Sequence, residues 1–366
     1  MFETVTAPTF VVDAEKARRN IERVAAKASR SGSTLRPHFK THQSFEVGRM
    51  FRDRGVRAIT VSSVAMARRF AEGGWDDITI AFPVNVRELA AIDELAGRVG
   101  LGLLVDCEEA IERLSSGLKN AVGLWIKIDL GTRRCGVPVS DRETVLRLLR
   151  FAAKSRNLRI AGILTHDSRT YGAVGREAVD QLYRQGCDAL TALRDDLAAE
   201  GFPGLLVSYG DTPTASLVDD FSGIDELRPG NFVYYDLQQY LIGACGAEDI
   251  AAAVACPVVG IYPSRGEAVL YGGAVHLAKQ DQVILDGRRS FGALFKPGQD
   301  GAPWGGFVEG AYIRSVSQEH GVAVLPPAEL ARLRLGDLVF VCPVHSCLAQ
   351  DLLKGNTLIF ERERGH

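Results

Sequence analysis

Strand-like and helix-like segments alternate through the first two-thirds of the chain, and this alternation restricts the fold more than any other feature. Amphipathic stretches at 85–96, 140–154 and 174–199 predict helices, with Ser140 as the N-cap of the second. Short β-branched or aliphatic runs predict eight strands, near residues 35–38, 57–61, 77–81, 101–105, 123–129, 158–164, 204–208 and 226–228. Eight strands alternating with helices favour an α/β fold of the (β/α)8 barrel type, with an open doubly wound sheet as the alternative.

A second domain is expected because 366 residues exceed what one hydrophobic core usually supports. After about residue 240 helical patterns become sparse, and Pro, Gly and Asp separate strand-like runs at 252–261, 266–271, 308–316, 321–325, 338–342 and 357–361. Residues 281–306 look like a long excursion. A strand at 9–13, ahead of a helix at about 14–30, is one too many for the barrel. We therefore predict a barrel domain at 14–240 and a mostly β domain at 241–366 that includes residues 1–13.

Charge and composition exclude several classes of partner. The net charge is −2 and no basic block occurs, so the sequence gives no indication of nucleic acid or an anionic membrane. No apolar run approaches the ~20 residues of a membrane helix, and the N-terminus lacks a signal segment. The seven cysteines are scattered and odd in number, as expected for reduced thiols. These features predict a cytoplasmic protein.

Lys40 is the first candidate for chemistry, in the run RPHFKTH at residues 36–42. Catalytic residues of such barrels occupy the C-terminal ends of the strands, and a lysine there can form an imine with an aldehyde cofactor. A catalytic lysine needs desolvation or nearby positive charge, which Arg36, His38 and His42 are placed to supply. The alternative is a surface lysine in a basic loop.

Two glycine-containing turns are candidates for a phosphate cradle. Gly210, Asp211 and Thr212 follow the seventh predicted strand, and Gly230 and Asn231 follow the eighth. Phosphate sites of barrels favour these two loops, where backbone N–H groups face the anion. The Asp211 side chain is expected to point away, because a carboxylate repels phosphate. With an imine-forming lysine, these turns predict pyridoxal 5'-phosphate as the cofactor.

Other polar residues follow the fifth and sixth predicted strands. Arg134 follows the fifth and could reach the cofactor. His166 and Tyr171 follow the sixth and could contact cofactor or substrate, although a purely structural role is the alternative for each.

His345 and Cys347 are candidate metal ligands. On an extended strand, residues two apart project to the same face, so both side chains could bind one ion. Nitrogen plus thiolate favours zinc over magnesium or manganese, and two protein ligands would leave positions for water or substrate. The alternative is a half-buried strand with a small thiol and a satisfied histidine.

These clusters, in this order, resemble the D-serine dehydratase and D-threonine aldolase family of fold-type III pyridoxal phosphate enzymes, whose barrel is similar to that of alanine racemase. The matching segments span nearly the whole chain. They are residues 6–13, RPHFKTH at 36–42, Gly-x-x-Thr-His at 162–166, Gly-Asp-Thr-Pro-Thr at 210–214, Arg-Pro-Gly-Asn-x-x-x-Tyr-Asp at 228–236, Ser-Gln-Glu-His-Gly at 317–321 and Pro-x-His-x-Cys at 343–347.

The resemblance implies a role for each of these candidates except His166. Lys40 would be the Schiff-base lysine, and the residues named for the two turns would contact the phosphate. His345 and Cys347 would hold the metal, and Arg134 and Tyr171 would contact the cofactor. It also implies that the first strand joins the β domain, that the substrate is a D-amino acid and that the protein is a homodimer.

The reaction is left between two lyase activities on β-hydroxy D-amino acids. A D-serine dehydratase-like elimination gives a 2-oxo acid and ammonia, whereas a retro-aldol cleavage of D-threonine or 3-hydroxy-D-aspartate gives glycine and an aldehyde. Dehydratases of this family resemble His-x-Cys and aldolases more often carry His-x-Asp, so Cys347 favours the dehydratase. A racemase or a pyridoxal phosphate carrier would leave the metal pair without a role.

Overall fold

A computed structural model describes residues 2–279 and 282–362. Contacts divide the chain into two compact units. The barrel unit comprises Glu22–Lys40 and Ser44–Gly230, and the β unit comprises the residues up to Ile21, Thr41–Gln43 and the residues from Asn231 onward. The sequence-based division at residue 240 stays a prediction about folding domains.

The strands are β1 (Thr9–Asp13), β2 (Thr34–Leu35), β3 (Ala58–Val61), β4 (Asp77–Pro83), β5 (Gly100–Val105), β6 (Val122–Asp129), β7 (Val137–Pro138), β8 (Leu158–Leu164), β9 (Leu206–Tyr209), β10 (Glu226–Leu227), β11 (Ala252–Tyr262), β12 (Glu267–Tyr271), β13 (Val283–Leu285), β14 (Arg288–Ser290), β15 (Gly292–Pro297), β16 (Trp304–Val316), β17 (His320–Val324), β18 (Leu338–Pro343) and β19 (Thr357–Phe360). The α-helices are α1 (Ala14–Arg30), α2 (Phe45–Arg52), α3 (Val64–Glu72), α4 (Leu89–Ala96), α5 (Glu108–Gly117), α6 (Arg142–Ala152), α7 (Arg176–Ala199), α8 (Thr212–Leu217), α9 (Leu237–Ile242), α10 (Ala274–Leu277), α11 (Pro327–Leu330) and α12 (Ser346–Leu352).

The barrel unit contains a parallel sheet in the order β2-β10-β9-β8-β6-β5-β4-β3, with β7 beside β6. A bridge between His38 and Thr60 links the segment after β2 to β3, and the Thr60 N–H donates to the carbonyl oxygen of Pro37 at 2.9 Å. The sheet is therefore a nearly closed eight-stranded barrel, which confirms the predicted fold and rejects the open sheet. Because all strands are parallel, their C-terminal ends lie at one rim.

Arg36 has a different role from the one expected. Its guanidinium binds Glu226 of β10 (Nε to Oε1, 2.7 Å) and Asp77 of β4 (terminal nitrogen to Oδ1, 2.6 Å). Two carboxylates therefore satisfy the charge that was expected to act on Lys40. Arg36 instead links β10, the neighbour of the two-residue β2, to β4, which lies on the far side of β3.

The predicted helices are present, with small changes at their starts. The segment at 140–154 is helical as α6, but the cap is Asp141, whose side chain accepts from the Thr144 N–H, so the choice of Ser140 was wrong. A carboxylate at this position also interacts favourably with the helix dipole. The segment at 85–96 begins with a single 3-10 turn at Val86–Glu88 before α4.

The β unit contains a ring of six strands in which each neighbouring pair is antiparallel, β11-β12-β17-β16-β15-β18. The start of β11 also pairs with β1, and β1 pairs with β19. The surplus N-terminal strand therefore joins the β unit, as predicted.

The predicted excursion at 281–306 was wrong in part. Its first residue, 281, lies outside the described residues, and β13 and β14 form a separate hairpin. β15, however, is an internal strand between β16 and β18. Its residues are buried from Gly292 to Phe295, but flanking glycines and prolines hid the pattern of a strand. Within residues 2–279 and 282–362, no helix has the length and apolarity needed to cross a bilayer.

Candidate active site

Lys40 lies at the rim of the barrel, in the turn after the bridge that closes it. Phe39 is fully buried and packs edge-on against Phe70 and Trp75, with ring centroids 4.9 and 5.0 Å apart. Its N–H donates to the Thr60 carbonyl, which holds the turn to β3. The following side chain, that of Lys40, is exposed. An apolar anchor thus positions an exposed amine where barrels place their catalytic groups.

His166 and Tyr171, after β8, meet the Gly210–Thr212 turn, after β9. The Nδ1 atom of His166 lies 2.5 Å from the carbonyl oxygen of Gly210, and the rings of His166 and Tyr171 are 6.0 Å apart. The Thr212 N–H donates to the Tyr171 hydroxyl oxygen at 3.4 Å. The structure therefore brings together four of the residues that the sequence singled out.

His166 is held neutral. Burial is the largest cause that lowers its pKa, to about 3, and the positive charges of Lys40 and Arg134 act in the same direction. Because a carbonyl oxygen only accepts, Nδ1 carries the hydrogen and Nε2 keeps its lone pair. Arg134 itself is exposed in the loop after β6, and its charge reaches this cluster. Such a positive environment suits an anionic group.

The Gly210–Thr212 turn has the features of an anion cradle. A methyl group at position 210 would lie 2.8 Å from the carbonyl carbon and oxygen of Arg228, so glycine is needed where the loops after β9 and β10 approach each other. The Thr212 hydroxyl oxygen is buried and has no hydrogen-bond partner within the described residues. A buried, unsatisfied hydroxyl is costly, and a phosphate oxygen would satisfy it. These residues therefore fit the phosphate of pyridoxal phosphate.

The carboxyl group of Asp211 is buried and hydrogen-bonded within the barrel unit. Oδ1 accepts from the Thr214 N–H at 2.7 Å, and this hydrogen bond caps α8. The same oxygen accepts from the Thr170 hydroxyl at 3.0 Å. The side chain is almost fully buried, and burial raises the pKa of Asp211 to about 7. These hydrogen bonds hold the turn in place.

Two supporting groups were missed by the sequence reasoning. Arg228 is buried and donates from Nε to the Ser208 hydroxyl at 2.6 Å and from a terminal nitrogen to the Thr165 carbonyl. Asp167 is fully buried and accepts two hydrogen bonds from the Arg169 guanidinium. Arg228 belongs to the same sequence motif as the half-buried Gly230, so this motif could have identified it as a site residue. No pattern marked Asp167.

His345 and Cys347 do not lie on a strand, so the geometric reason first given for their pairing was wrong. β18 ends at Pro343, His345 is the N-cap residue of α12, and Cys347 is in the first turn of that helix. The two side chains nevertheless interact. Burial opposes protonation of His345, but the Cys347 thiol group and Asp236 outweigh it and raise the pKa of His345.

The thiol of Cys347 has two polar neighbours within the β unit. Its Sγ atom lies 3.2 Å from the hydroxyl oxygen of Thr41, the residue after Lys40 in the chain. The side-chain amide of Asn231 is 3.5 Å from the same sulfur and donates to Asp236 at 2.6 Å. Asn231, expected to contact phosphate, thus directs its side-chain amide to this cluster.

The donor set fits a divalent ion. Imidazole nitrogen and thiolate are the ligands that zinc prefers, and hydrogen bonds to sulfur stabilise the thiolate. Over the described ranges, no group of three or more His, Cys, Asp or Glu has the geometry of a metal site. His345 and Cys347 are the residues that would hold the ion, with other positions open.

Comparison with known proteins identifies both halves of the chain. The model of the alanine racemase N-terminal domain matches residues 12–238, and that of the putative serine dehydratase domain matches residues 251–357. The chain is 32% identical to a D-threo-3-hydroxyaspartate dehydratase of Delftia sp. (strain HT23), over 94% of this chain and 91% of that protein. It is 27% identical to a D-serine dehydratase of Schizosaccharomyces pombe (strain 972 / ATCC 24843), over 94% and 86%.

The solved structures agree with the sequence comparison. The Delftia dehydratase superposes with a TM-score of 0.88 at 28% identity, over 99% of both chains. A cysteine-to-alanine mutant of a D-threo-3-hydroxyaspartate dehydratase, solved in the metal-free form, superposes with a TM-score of 0.88 at 28% identity, over 99% of both chains. A 3-hydroxy-D-aspartate aldolase of Paracoccus denitrificans (strain Pd 1222) is 28% identical over 63% of this chain and 61% of that protein.

Proposed function

This chain belongs to the D-serine dehydratase and D-threonine aldolase family of fold-type III pyridoxal phosphate-dependent lyases, and from that premise we propose that it removes water from β-hydroxy D-amino acids with the help of a divalent ion. Water would then hydrolyse the released enamine through its imine tautomer, so the final products would be a 2-oxo acid and ammonia. The observation that carries the proposal is the His345–Cys347 pair beside Asp236, because a cysteine in this position is the feature that resembles the dehydratases.

The extent of the likeness to known proteins supports the dehydratase. Relatives named as dehydratases align over 94% of the chain, whereas the Paracoccus aldolase aligns over 63%. The model of the putative serine dehydratase domain matches residues 251–357, which include His345 and Cys347. Among β-hydroxy D-amino acids, 3-hydroxy-D-aspartate is the first substrate to test, because the Delftia relative is named for it.

The chain's own residues divide the work. When bound, pyridoxal phosphate supplies an electron sink for the bonds at Cα, and a divalent ion supplies a Lewis acid for the β-hydroxyl. Thr212 and the turn around Gly210 bind the phosphate, and neutral His166 keeps the adjacent loop in place through Gly210. Lys40 provides the amine that binds the cofactor and afterwards takes the α-proton at Nζ.

His345 and Cys347 would hold the ion, and zinc is the metal that their nitrogen and sulfur favour. Retro-aldol cleavage is the alternative reaction, favoured by the likeness to the aldolase. In that case a base takes the β-hydroxyl proton and the Cα–Cβ bond breaks, giving glycine from the Cα fragment and an aldehyde from the Cβ fragment. We expect the enzyme to be a homodimer, as its family resemblance implies.

A panel of substrates tests the proposal. Enzyme loaded with pyridoxal phosphate and zinc is offered D-serine, D-threonine and 3-hydroxy-D-aspartate, and the 2-oxo acid, ammonia and glycine are measured together. We expect 2-oxo acid and ammonia in equal amounts. Glycine as the main product would replace the dehydratase by the aldolase.

A matched pair of variants accompanies the panel. Lys40→Ala should lose the visible absorption of the protein-bound cofactor and all turnover. Lys354→Ala, which removes an exposed lysine paired with Asp351, should keep both. If the absorption band survives in Lys40→Ala, Lys40 does not hold the cofactor.

A further inference from the structure

Asp236 is a fully buried carboxylate to which the sequence reasoning gave no role. We propose that Asp236 is a positioning residue, which holds His345 by Nδ1 so that Nε2 is the atom that binds the metal. The inference rests on the proposed function, because it assumes that an ion binds to His345 and Cys347. It adds a residue that selects which nitrogen of the imidazole is the ligand.

The carboxylate is already occupied by donors from its own unit. Oδ2 accepts from the Asn231 side-chain amide at 2.6 Å and from the Ser346 N–H at 2.9 Å. Oδ1 accepts from the Gln239 N–H at 2.9 Å, which caps α9. A carboxylate has about four sites for donors, so little capacity remains for a direct bond to a metal. These contacts favour a supporting role over that of a third ligand.

The remaining neighbour of Oδ2 is the imidazole. Nδ1 of His345 lies 3.3 Å from Oδ2, within ion-pair distance, and this buried nitrogen has no hydrogen-bond partner within the described residues. A carboxylate only accepts, so in the neutral imidazole, the form that can bind a metal, the hydrogen is on Nδ1 and the lone pair is on Nε2. Metal-binding histidines are commonly oriented in this way by a carboxylate on the other nitrogen.

The same network reaches the second ligand. The amide of Asn231 lies between Asp236 Oδ2 and Cys347 Sγ, at 2.6 and 3.5 Å. Ser346, between the two ligands in sequence, donates its N–H to Asp236 and receives a hydrogen bond from Asn231 at its hydroxyl. Asp236 therefore fixes the short segment that carries both ligands, as well as the tautomer of one.

The test is the zinc affinity of the cofactor-loaded protein, measured by competition with a chromogenic chelator. Asp236→Ala should weaken zinc binding about 10–100-fold, the range typical for loss of a carboxylate behind a metal-binding histidine. Asp236→Asn keeps an oxygen that can accept from Nδ1 but loses the charge, so its affinity should lie between the two. Asp351→Asn, on the exposed side of α12, is the matched control and should bind zinc as the unaltered protein does.

The outcomes separate this inference from the proposed function. If the unaltered protein and His345→Ala bind zinc equally, the metal site itself is wrong. If His345→Ala loses zinc but Asp236→Ala and Asp236→Asn bind as the unaltered protein does, Asp236 has no positioning role. The cofactor absorption and circular dichroism of each variant confirm that it is folded, and Asp236→Asn carries the test if the alanine variant does not fold.

A crystal structure of the zinc-loaded protein gives a second readout. It should place zinc on Nε2 of His345, with the Asp236 carboxylate on Nδ1. Zinc on Nδ1, or bound directly to the carboxylate, would overturn the inference.

Discussion

His166 and Asp211 are close in the barrel unit, and folding changes their proton affinities in opposite directions. Burial is the main cause for both: it lowers the pKa of His166 to about 3 and raises that of Asp211 to about 7. Between pH ~3 and ~6.5, His166 is protonated in the unfolded chain and neutral in the folded protein. This group therefore makes the free energy of unfolding fall as pH falls. Between pH ~4 and ~7 folded Asp211 binds the proton instead, so its contribution rises as pH falls.

In the unaltered protein, the opposite pH dependences of His166 and Asp211 should partly cancel. Replacing one of the two residues should reveal the contribution of the other. Each group changes the free energy of unfolding by up to ~1.4 kcal/mol per pH unit. His166→Gln should gain stability relative to the unaltered protein as pH falls from 6.5 to 4.5, and Asp211→Asn should lose it. The measurement is urea unfolding of the cofactor-free protein, followed by circular dichroism across this range. His320→Gln, at an exposed position, is the control.

Equal pH slopes for all four proteins would contradict the proton assignments of His166 and Asp211.

At the residue scale, the sequence identified which side chains to examine but not every contact they make. His166, Tyr171, Gly210 and Thr212 meet because parallel strands bring their C-terminal ends to one rim, a consequence of fold alone. Arg36 shows the limit. Its neighbours in sequence suggested a charge beside Lys40, but its ion-pair partners lie 41 and 190 residues away.

At the scale of elements, the guanidinium of Arg36 stabilises the part of the barrel that contains the two-residue strand β2. Glu226 is buried, whereas the side chain of Asp77 is 52% exposed. Removing the guanidinium leaves a buried carboxylate without compensation, which typically costs about 3–5 kcal/mol.

Urea unfolding of two single variants and one double variant tests this role. Arg36→Met should lower the free energy of unfolding by about 3–5 kcal/mol, and Asp77→Asn by less than about 1 kcal/mol. Arg36→Met combined with Glu226→Met should recover part of the loss, because no buried charge remains. Equal losses in the two single variants would show that Glu226 does not depend on Arg36.

The junction between β18 and α12 shows why element boundaries limited the prediction. The spacing of His345 and Cys347 suits a strand, but the chain turns into a helix at Ser346. On a strand, the two side chains would point to the same face because residues two apart do so. Here they are close because the chain enters the first turn of α12, where the Ser346 N–H donates to Asp236. The strand conformation through which the sequence reasoning paired the two residues was wrong, and their role as metal ligands stays a prediction.

At the scale of the whole molecule, the alternation of segments predicted the barrel and the later strands predicted most of the β unit. What the pattern could not give was the closure of six strands of the β unit into a ring, since β15 has no clear strand signal. The buried supports, Arg228 and Asp236, depend on long-range contacts that periodicity does not encode.

The proposed chemistry needs both a cofactor and an ion, and one experiment on a single sample separates their contributions. The enzyme is assayed with 3-hydroxy-D-aspartate before treatment with a chelator, after it, and after zinc is restored, while cofactor absorption and metal content are followed. We predict that formation of 2-oxo acid stops when the metal is removed and returns with zinc, and that the absorption band persists throughout. Undiminished turnover in a sample with no measurable metal would contradict the metal-assisted elimination.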